Sequence, residues 1–398
     1  MKRGYLITSA LMGFGHLRAA HNLSSFSHMP VLRVDREPYV NFVDRLVWGM
    51  GQYSHTYASR DAESRSKFLY TRFEKLMTIP KDHEKPPLGP SRFIRTIERF
   101  GAGKELFRQL GEDNPRLIHT FYLPAMLSVY REYPGKSFLL LCDTDFHRVW
   151  APLEPENGPL EYCVPISKSA DRLISYGVKS EKIHVTGFPL PPVHTGVGET
   201  VTAENDFEVR RTRLQTNSSL PLTIMFPFSG AGAYSNVLAE MVKSILDELR
   251  EGTLRLVVSC GDNEDALWNA ENLFTNYGID ELEYVEIIYD ADLFKSFERF
   301  NLALKSSDVV VTKPSEMVFY AALGIPMVFL PPIGAHEARN REYLLESGCA
   351  SDMISIPDFA KWLFEARRSG LLLELAENGF RKLLREGADK INEIVSGS

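Results

Sequence analysis

The sequence predicts an α/β protein built from two parallel-sheet domains. Three observations predict it. Short apolar runs rich in β-branched residues recur along the chain, of the kind buried on both faces of a parallel sheet. Each leads through a loop into a helical stretch, the alternation of doubly wound folds. The alternation halts in a stiff, proline-rich segment, Gly187-Phe188-Pro189-Leu190-Pro191-Pro192, and then restarts. A length of 398 residues suits two domains of about 200 residues each.

The first domain is expected over residues 1–187. Tyr5-Leu6-Ile7-Thr8 is a strand that runs through Ser9-Ala10-Leu11-Met12-Gly13-Phe14-Gly15-His16 into a helix with Ala19, Ala20, Leu23 and Phe26 on one face. A strand, a glycine-containing turn and a helix open a nucleotide-type α/β domain. Residues 30–35 form a second strand. Residues 38–110 depart from the rhythm: FVDRLVWGMGQY, SKFLYTRFEKLMTI and RFIRTIERF are aromatic, basic helical segments, and residues 81–90 form a polar, proline-rich loop. Such an insertion either covers the sheet or meets an acceptor or a membrane surface. Further strands follow at 117–121, 137–142, 161–165 and 183–186, with a helix over 168–176.

The second domain is expected over residues 188–375. Leu222-Thr223-Ile224-Met225-Phe226 is its first strand, Ser229-Gly230-Ala231-Gly232-Ala233 a loop of small residues, and 236–250 a helix. Strands follow at 254–260, ending in Gly261-Asp262-Asn263-Glu264, and at 284–289, then a helix over 294–305. Asp308-Val309-Val310-Val311 is broken by Thr312-Lys313-Pro314-Ser315. A helix is then expected from Ser315, with Glu316 near its positive end and Gly324 as a left-handed cap before Pro326. Met327-Val328-Phe329-Leu330 is the next buried strand. Pro331-Pro332-Ile333-Gly334 delivers His336, Glu337, Arg339 and Asn340 to another helix start. Polar residues at the carboxyl ends of successive parallel strands line ligand crevices. After Pro357 the chain reads as helical, with an amphipathic run over 371–394, and residues 376–398 are expected to pack on the first domain.

Composition narrows the function. Net charge of −7 argues against a general nucleic-acid surface. Cys142, Cys163, Cys260 and Cys349 have no metal-type spacing and read as buried, reduced thiols of a cytoplasmic protein. No apolar run reaches the roughly 18 residues of a membrane span, and MKRGYLITSA reads as a strand, not a signal peptide. Peripheral contact at the inner face of a membrane stays open.

Taken in order, these motifs resemble the GT-B glycosyltransferases of the monogalactosyldiacylglycerol synthase and peptidoglycan N-acetylglucosaminyltransferase group. The turn Gly13-Phe14-Gly15-His16 resembles the family's GGGH-type turn, and Thr144-Asp145-Phe146-His147 with Trp150 its T-D-(aromatic)-x-x-H-x-x-W region. Residues 177–189 resemble G-V-x-x-E-K-I-x-V-T-G-(apolar)-P. Cys260-Gly261-Asp262-Asn263 resembles C-G-x-N, residues 308–314 D-x-V-V-T-K-P, and residues 337–348 E-x-x-N-x-x-x-L-x-x-x-G. The likeness covers most of the chain outside about 38–110. One departure stands out. The family carries two glycines after the Lys-Pro and then T-x-S-E, whose glutamate holds a ribose. Here Ser315-Glu316 follows at once, and Phe319 falls where that glutamate belongs when aligned from Gly324-Ile325-Pro326. Either Glu316 serves the ribose from one turn earlier, or ribose recognition is lost.

The resemblance implies two Rossmann-like domains facing across a cleft, an inverting transfer, a nucleoside-diphosphate sugar (UDP in the family) as donor, and a lipid or glycan acceptor. It implies no metal and no further cofactor. The donor would meet Gly15, Ser229, Gly230 and Gly232 through backbone N–H groups and hydroxyls at helix starts. Gly261 and Asn263 would shape the base pocket, unless they only make a turn. Lys313, Ser315, Glu316 and His336 would meet diphosphate and ribose, and Glu337 and Asn340 the sugar, one helical turn apart. Lys313 could instead pair with Glu316. His16 is the expected base, near its working pKa without tuning, with Asp145 competing and His147 a third option. Two other classes remain: a non-catalytic nucleotide-sugar-binding protein and a UDP-sugar 2-epimerase.

Overall fold

A computed structural model describes residues 4–60, 79–80, 87–196, 202–228, 235–332, 334–353 and 355–397. The expected helix SKFLYTRFEKLMTI lies almost wholly outside them. The chain divides into two units, residues 1–190 with 386–398, and residues 191–385.

The first unit carries a six-stranded parallel sheet: β1 (Tyr5–Ser9), β2 (Val31–Arg33), β3 (Arg116–His119), β4 (Ser137–Leu140), β5 (Glu161–Val164) and β6 (Ile183–Val185), in the order β2-β1-β3-β4-β5-β6. The chain leaves β1 toward β2 and returns on the other side as β3. The switch point of the sheet therefore lies between the carboxyl ends of β1 and β3, where doubly wound folds bind ligands. The helix Phe14–Ser27 begins there, behind Gly13 at φ 84°. On one face of the sheet, Ala10, Phe121, Leu139 and Leu141 join a core with Trp48, Ile94 and Met126. The expected insertion contributes the helices Phe42–Arg60 and Gly89–Arg99, tied together where the Asn41 side chain donates to the Gly101 carbonyl.

The second unit repeats the plan with β7 (Leu222–Pro227), β8 (Leu254–Gly261), β9 (Val285–Tyr289), β10 (Val309–Thr312), β11 (Met327–Phe329) and β12 (Ala350–Asp352). Their order is β12-β11-β10-β7-β8-β9, all parallel, with the switch point between β10 and β7. Its core joins Ile224, Phe226, Leu256, Val258, Val309, Val311 and Val328 to the flanking helices.

Several expectations change. The stretch after Ser315 is a 3-10 helix, Glu316–Leu323, buried along its whole length. It must run back the length of a strand between β10 and β11. Eight residues of 3-10 helix reach about 16 Å, against about 12 Å as an α-helix. Gly324 does take the left-handed cap, at φ 69°. The run 371–394 is two helices, Leu371–Lys382 in the second unit and Gly387–Gly397 in the first. The chain returns to the first unit at residue 386, not 376. Gly387 starts the returning helix so close to the Phe188 carbonyl that a Cβ would sit 2.1 Å from its oxygen. That helix packs on Phe14–Ser27, and the Tyr5 hydroxyl donates to Asn392 at 3.1 Å. The run 236–250 is likewise two helices, Ser235–Ser244 and Leu246–Glu251.

Candidate functional site

In the first unit the site grows from the β1 turn. His16 sits in the first turn of the helix Phe14–Ser27, whose start has no side-chain cap. A helix start is where backbone N–H groups can meet an anion or a polar substrate atom. The imidazole lies edge-on to Phe121 (4.9 Å between centroids) and tilted against Trp150 (5.7 Å). Tyr122 packs edge-on to Trp150 at 5.3 Å, and His147 edge-on to Tyr122 at 6.0 Å. His16, Phe121, Tyr122, Trp150 and His147 thus form one aromatic cluster beyond the carboxyl ends of β1, β3 and β4. Tyr122 was not among the expected site residues; its signal was an aromatic residue directly after a strand.

Asp145 takes a different part. Its carboxylate is 1% exposed and receives the Arg172 guanidinium at 2.6 and 2.9 Å, while the Phe146 N–H donates to Oδ1 at 2.9 Å. A carboxylate held this way is an anchor between the β4 loop and the helix Ser167–Ser175, with its lone pairs engaged. Ser169 adds a bond to the Thr144 carbonyl at 2.8 Å. Beneath the cluster, the Thr8 hydroxyl and His119 Nδ1 meet at 2.6 Å, and Thr120 donates to Ser9 at 2.8 Å. Burial pushes His119 down to about 3, so its ring is neutral.

In the second unit, Lys313 emerges from the end of β10 at the switch point. Its Nζ lies 2.7 Å from Glu337 Oε1, with side chains 19% and 3% exposed. The pairing partner is Glu337, not Glu316. Glu337 occupies the first turn of the helix Ala335–Glu346, where the helix dipole also favours a carboxylate. Asn340, one turn on, is fully buried, and Glu316 is buried at the start of the 3-10 helix. The Ser315 N–H donates to the Lys313 carbonyl at 2.8 Å and fixes the backbone of the loop. Phe319 is buried in the core, so the Glu316 carboxylate is the acidic group that this short helix offers.

The remaining expected residues divide. Gly261 takes the left-handed backbone, φ 66°, at an irregularity between β8 and β9. Asn263 is extended and caps the helix Glu264–Tyr277, accepting from the Ala266 N–H at 3.0 Å. His336 is exposed at its helix start, and Gly15 lies in the first turn with His16. Ser229, Gly230 and Gly232 lie outside the described residues. Cys142, Cys163, Cys260 and Cys349 are free, buried thiols; burial pushes Cys163 and Cys260 up to about 12, which leaves them unreactive.

The model of a family described as a domain of unknown function, DUF6938, matches residues 198–276 and 265–363. The processive diacylglycerol β-glucosyltransferase of Bacillus pumilus is 20% identical over 357 residues, covering 87% of this chain and 82% of that protein. Among solved structures, MurG of Acinetobacter baumannii aligns over 99% of this chain and 100% of its own at 13% identity, with a TM-score of 0.52. The UDP-GlcNAc 2-epimerase of Neisseria meningitidis, bound to UDP-GlcNAc, aligns over the same shares at 13% identity and a TM-score of 0.54. The chain shares the GT-B fold with these proteins, and the expected fold class holds.

Proposed function

We propose that this protein is an inverting glycosyltransferase that moves a sugar from a nucleoside diphosphate, UDP by likeness to its relatives, to the hydroxyl of a lipid acceptor. The observation that carries the reading is the Lys313–Glu337 pair at the second switch point, with Asn340 buried one turn on from Glu337 and Glu316 buried three residues after Lys313. An ammonium to meet a diphosphate, beside a buried carboxylate and amide to meet sugar hydroxyls, is the equipment a sugar nucleotide needs. The 20% identity to a diacylglycerol glucosyltransferase over 87% of the chain supports the acceptor class.

His16 is the proposed base. It takes the proton of the acceptor hydroxyl as the new O–C1 bond forms and the C1–O bond to phosphate breaks, and the nucleoside diphosphate leaves with the bonding pair. Its ring contacts with Phe121 and Trp150 orient it. Asp145, committed to Arg172, is not proposed as a base. Lys313 and backbone N–H groups at helix starts meet the leaving charge, so the proposal needs no metal and no additional cofactor.

We place the protein in the cytoplasm, peripherally at the inner face of a membrane. No described helix is long and apolar enough to cross one. The helix Phe42–Arg60 turns Phe42, Leu46, Met50 and Tyr53 outward at helical spacing, while its other face buries Trp48. Beside it, Phe93 and Phe100 are exposed together with Arg92 and Arg99. Aromatic and basic groups side by side suit an anionic lipid interface.

The test is calorimetry against UDP-, TDP- and GDP-sugars, followed by an assay with diacylglycerol, with and without EDTA, reading the anomeric configuration of the product by NMR. Binding of no sugar nucleotide would sink the proposal. Binding without transfer would favour a binding protein, and a 2-epimer formed without acceptor would favour an epimerase.

A further inference from the structure

Lys313 already has an anion. Its ammonium, which a donor diphosphate would need, is matched by Glu337 at 2.7 Å, and the pair is largely removed from water. The site as it stands offers no net positive charge at that point. A diphosphate that approached Lys313 with Glu337 in place would bring a second anion against the first, and in a partly buried setting that repulsion is not screened away. Something must move.

The geometry favours an exchange over simple exclusion. Lysine is a point charge on a flexible four-carbon stem, so it can turn between two anions. Its backbone is pinned, because the Ser315 N–H holds the Lys313 carbonyl, so only the side chain need move. Glu337 does not depend on Lys313 alone: it lies in the first turn of its helix, where the dipole stabilises a carboxylate. Asn340, buried one turn further on, keeps an amide on the same helix face.

We propose that Glu337 is an exchangeable counter-anion of Lys313. In the empty site it holds the lysine. When a nucleoside-diphosphate sugar binds, Lys313 turns to the diphosphate, and the released Glu337 carboxylate accepts hydroxyls of the sugar beside Asn340. A nucleoside diphosphate without a sugar breaks the same pair but brings no sugar hydroxyls to the carboxylate in return. The pair therefore selects the sugar nucleotide over the bare diphosphate, and after transfer Glu337 reclaims Lys313 and favours release of the product. The inference rests on the donor reading above and adds a device to it.

The experiment is isothermal titration of UDP and UDP-glucose into the wild type, Glu337→Gln, Glu337→Asp and Glu337→Gln/Lys313→Met, with thermal unfolding recorded on the same samples. Removing the competing carboxylate leaves Lys313 unpaired, so Glu337→Gln should bind UDP about tenfold tighter than the wild type. Its preference for UDP-glucose over UDP should fall. Glu337→Asp, with its carboxylate drawn back by one methylene, should be intermediate, and it carries the test alone if Glu337→Gln fails to fold. The double variant should lose the gain. UDP binding by a folded Glu337 variant that is equal to or weaker than wild type overturns the exchange while leaving the donor reading standing. A wild type that binds neither UDP nor UDP-glucose overturns both.

Discussion

The hydroxyl of Thr8 and the imidazole of His119 lie 2.6 Å apart across β1 and β3, in a region with no exposure to solvent. Burial holds His119 neutral, with its pKa pushed from 6.5 down to about 3. In the unfolded chain the same ring takes a proton below about 6.5. Between these values the unfolded state binds the extra proton, so stability rises with pH there. The contribution is complete above pH 6.5 and is lost as pH falls toward 3. Urea unfolding at a series of pH values should show a loss of several kcal/mol across that window, and a folded His119→Asn variant should show a shallower slope.

Arg210 is buried and donates to three carbonyls, those of Ser307 (2.8 Å), Leu323 (2.8 Å) and Leu304 (3.4 Å). It joins the end of the 3-10 helix to the end of the helix Leu293–Ser306. Arg210→Met removes the guanidinium donor from these carbonyls, of which that of Leu304 still accepts from the Ser307 N–H, and should cost about 3 kcal/mol in denaturant unfolding. Arg210→Lys, lacking the planar fork, should recover only part of it.

Asp145 and His16 should separate by kind of effect. Asp145→Asn breaks the bidentate pair with Arg172 and should lower stability by about 3 kcal/mol. His16→Ala should leave the melting temperature close to wild type and reduce kcat of sugar transfer by about 10² to 10⁴-fold. A His16→Ala enzyme with normal turnover removes His16 from the chemistry.

Glycine substitutions should sort by space. At Gly324 the backbone is left-handed, and a Cβ would come 2.2 Å from the Phe207 ring. Gly324→Ala should therefore cost more than about 1 kcal/mol. At Gly49, inside the helix Phe42–Arg60, a Cβ meets nothing within 4 Å. Gly49→Ala should instead stabilise by about 0.5–1 kcal/mol. Thermal melts of the two variants should move in opposite directions.

Phe42 and Phe100 are 79% and 74% exposed. Sedimentation with vesicles should show binding to anionic lipid that weakens in salt. The double change Phe42→Ser/Phe100→Ser should reduce the partition coefficient on the order of tenfold or more, given about 1.5–3 kcal/mol for burying each ring. Equal partitioning of variant and wild type would remove this face from membrane contact.

The strands other than β12 were legible because a strand buried in a parallel sheet favours unbroken apolar side chains, as in Val309-Val310-Val311. β12, Ala350-Ser351-Asp352, was not legible, since an edge strand of three residues carries no run. The helix Glu264–Tyr277 was missed although its signals were present: Asn263 caps its start, acids fill its first turn and Gly278 ends it.

By itself, then, the chain's order of apolar runs, glycines and prolines determined two sheets, the connector between them and the loops from which polar groups emerge. Those are consequences of local stereochemistry and of burying apolar surface, both written along the backbone. Which polar group meets which was decided only on folding. Lys313 pairs with Glu337 rather than with Glu316, three residues away, because β10 and β11 lie side by side and bring the loops at their carboxyl ends together. Asp145, in the loop after β4, meets Arg172 in the helix Ser167–Ser175 for the same kind of reason. Charge pairing acts through space, and the distances that set it exist only once the sheets have formed.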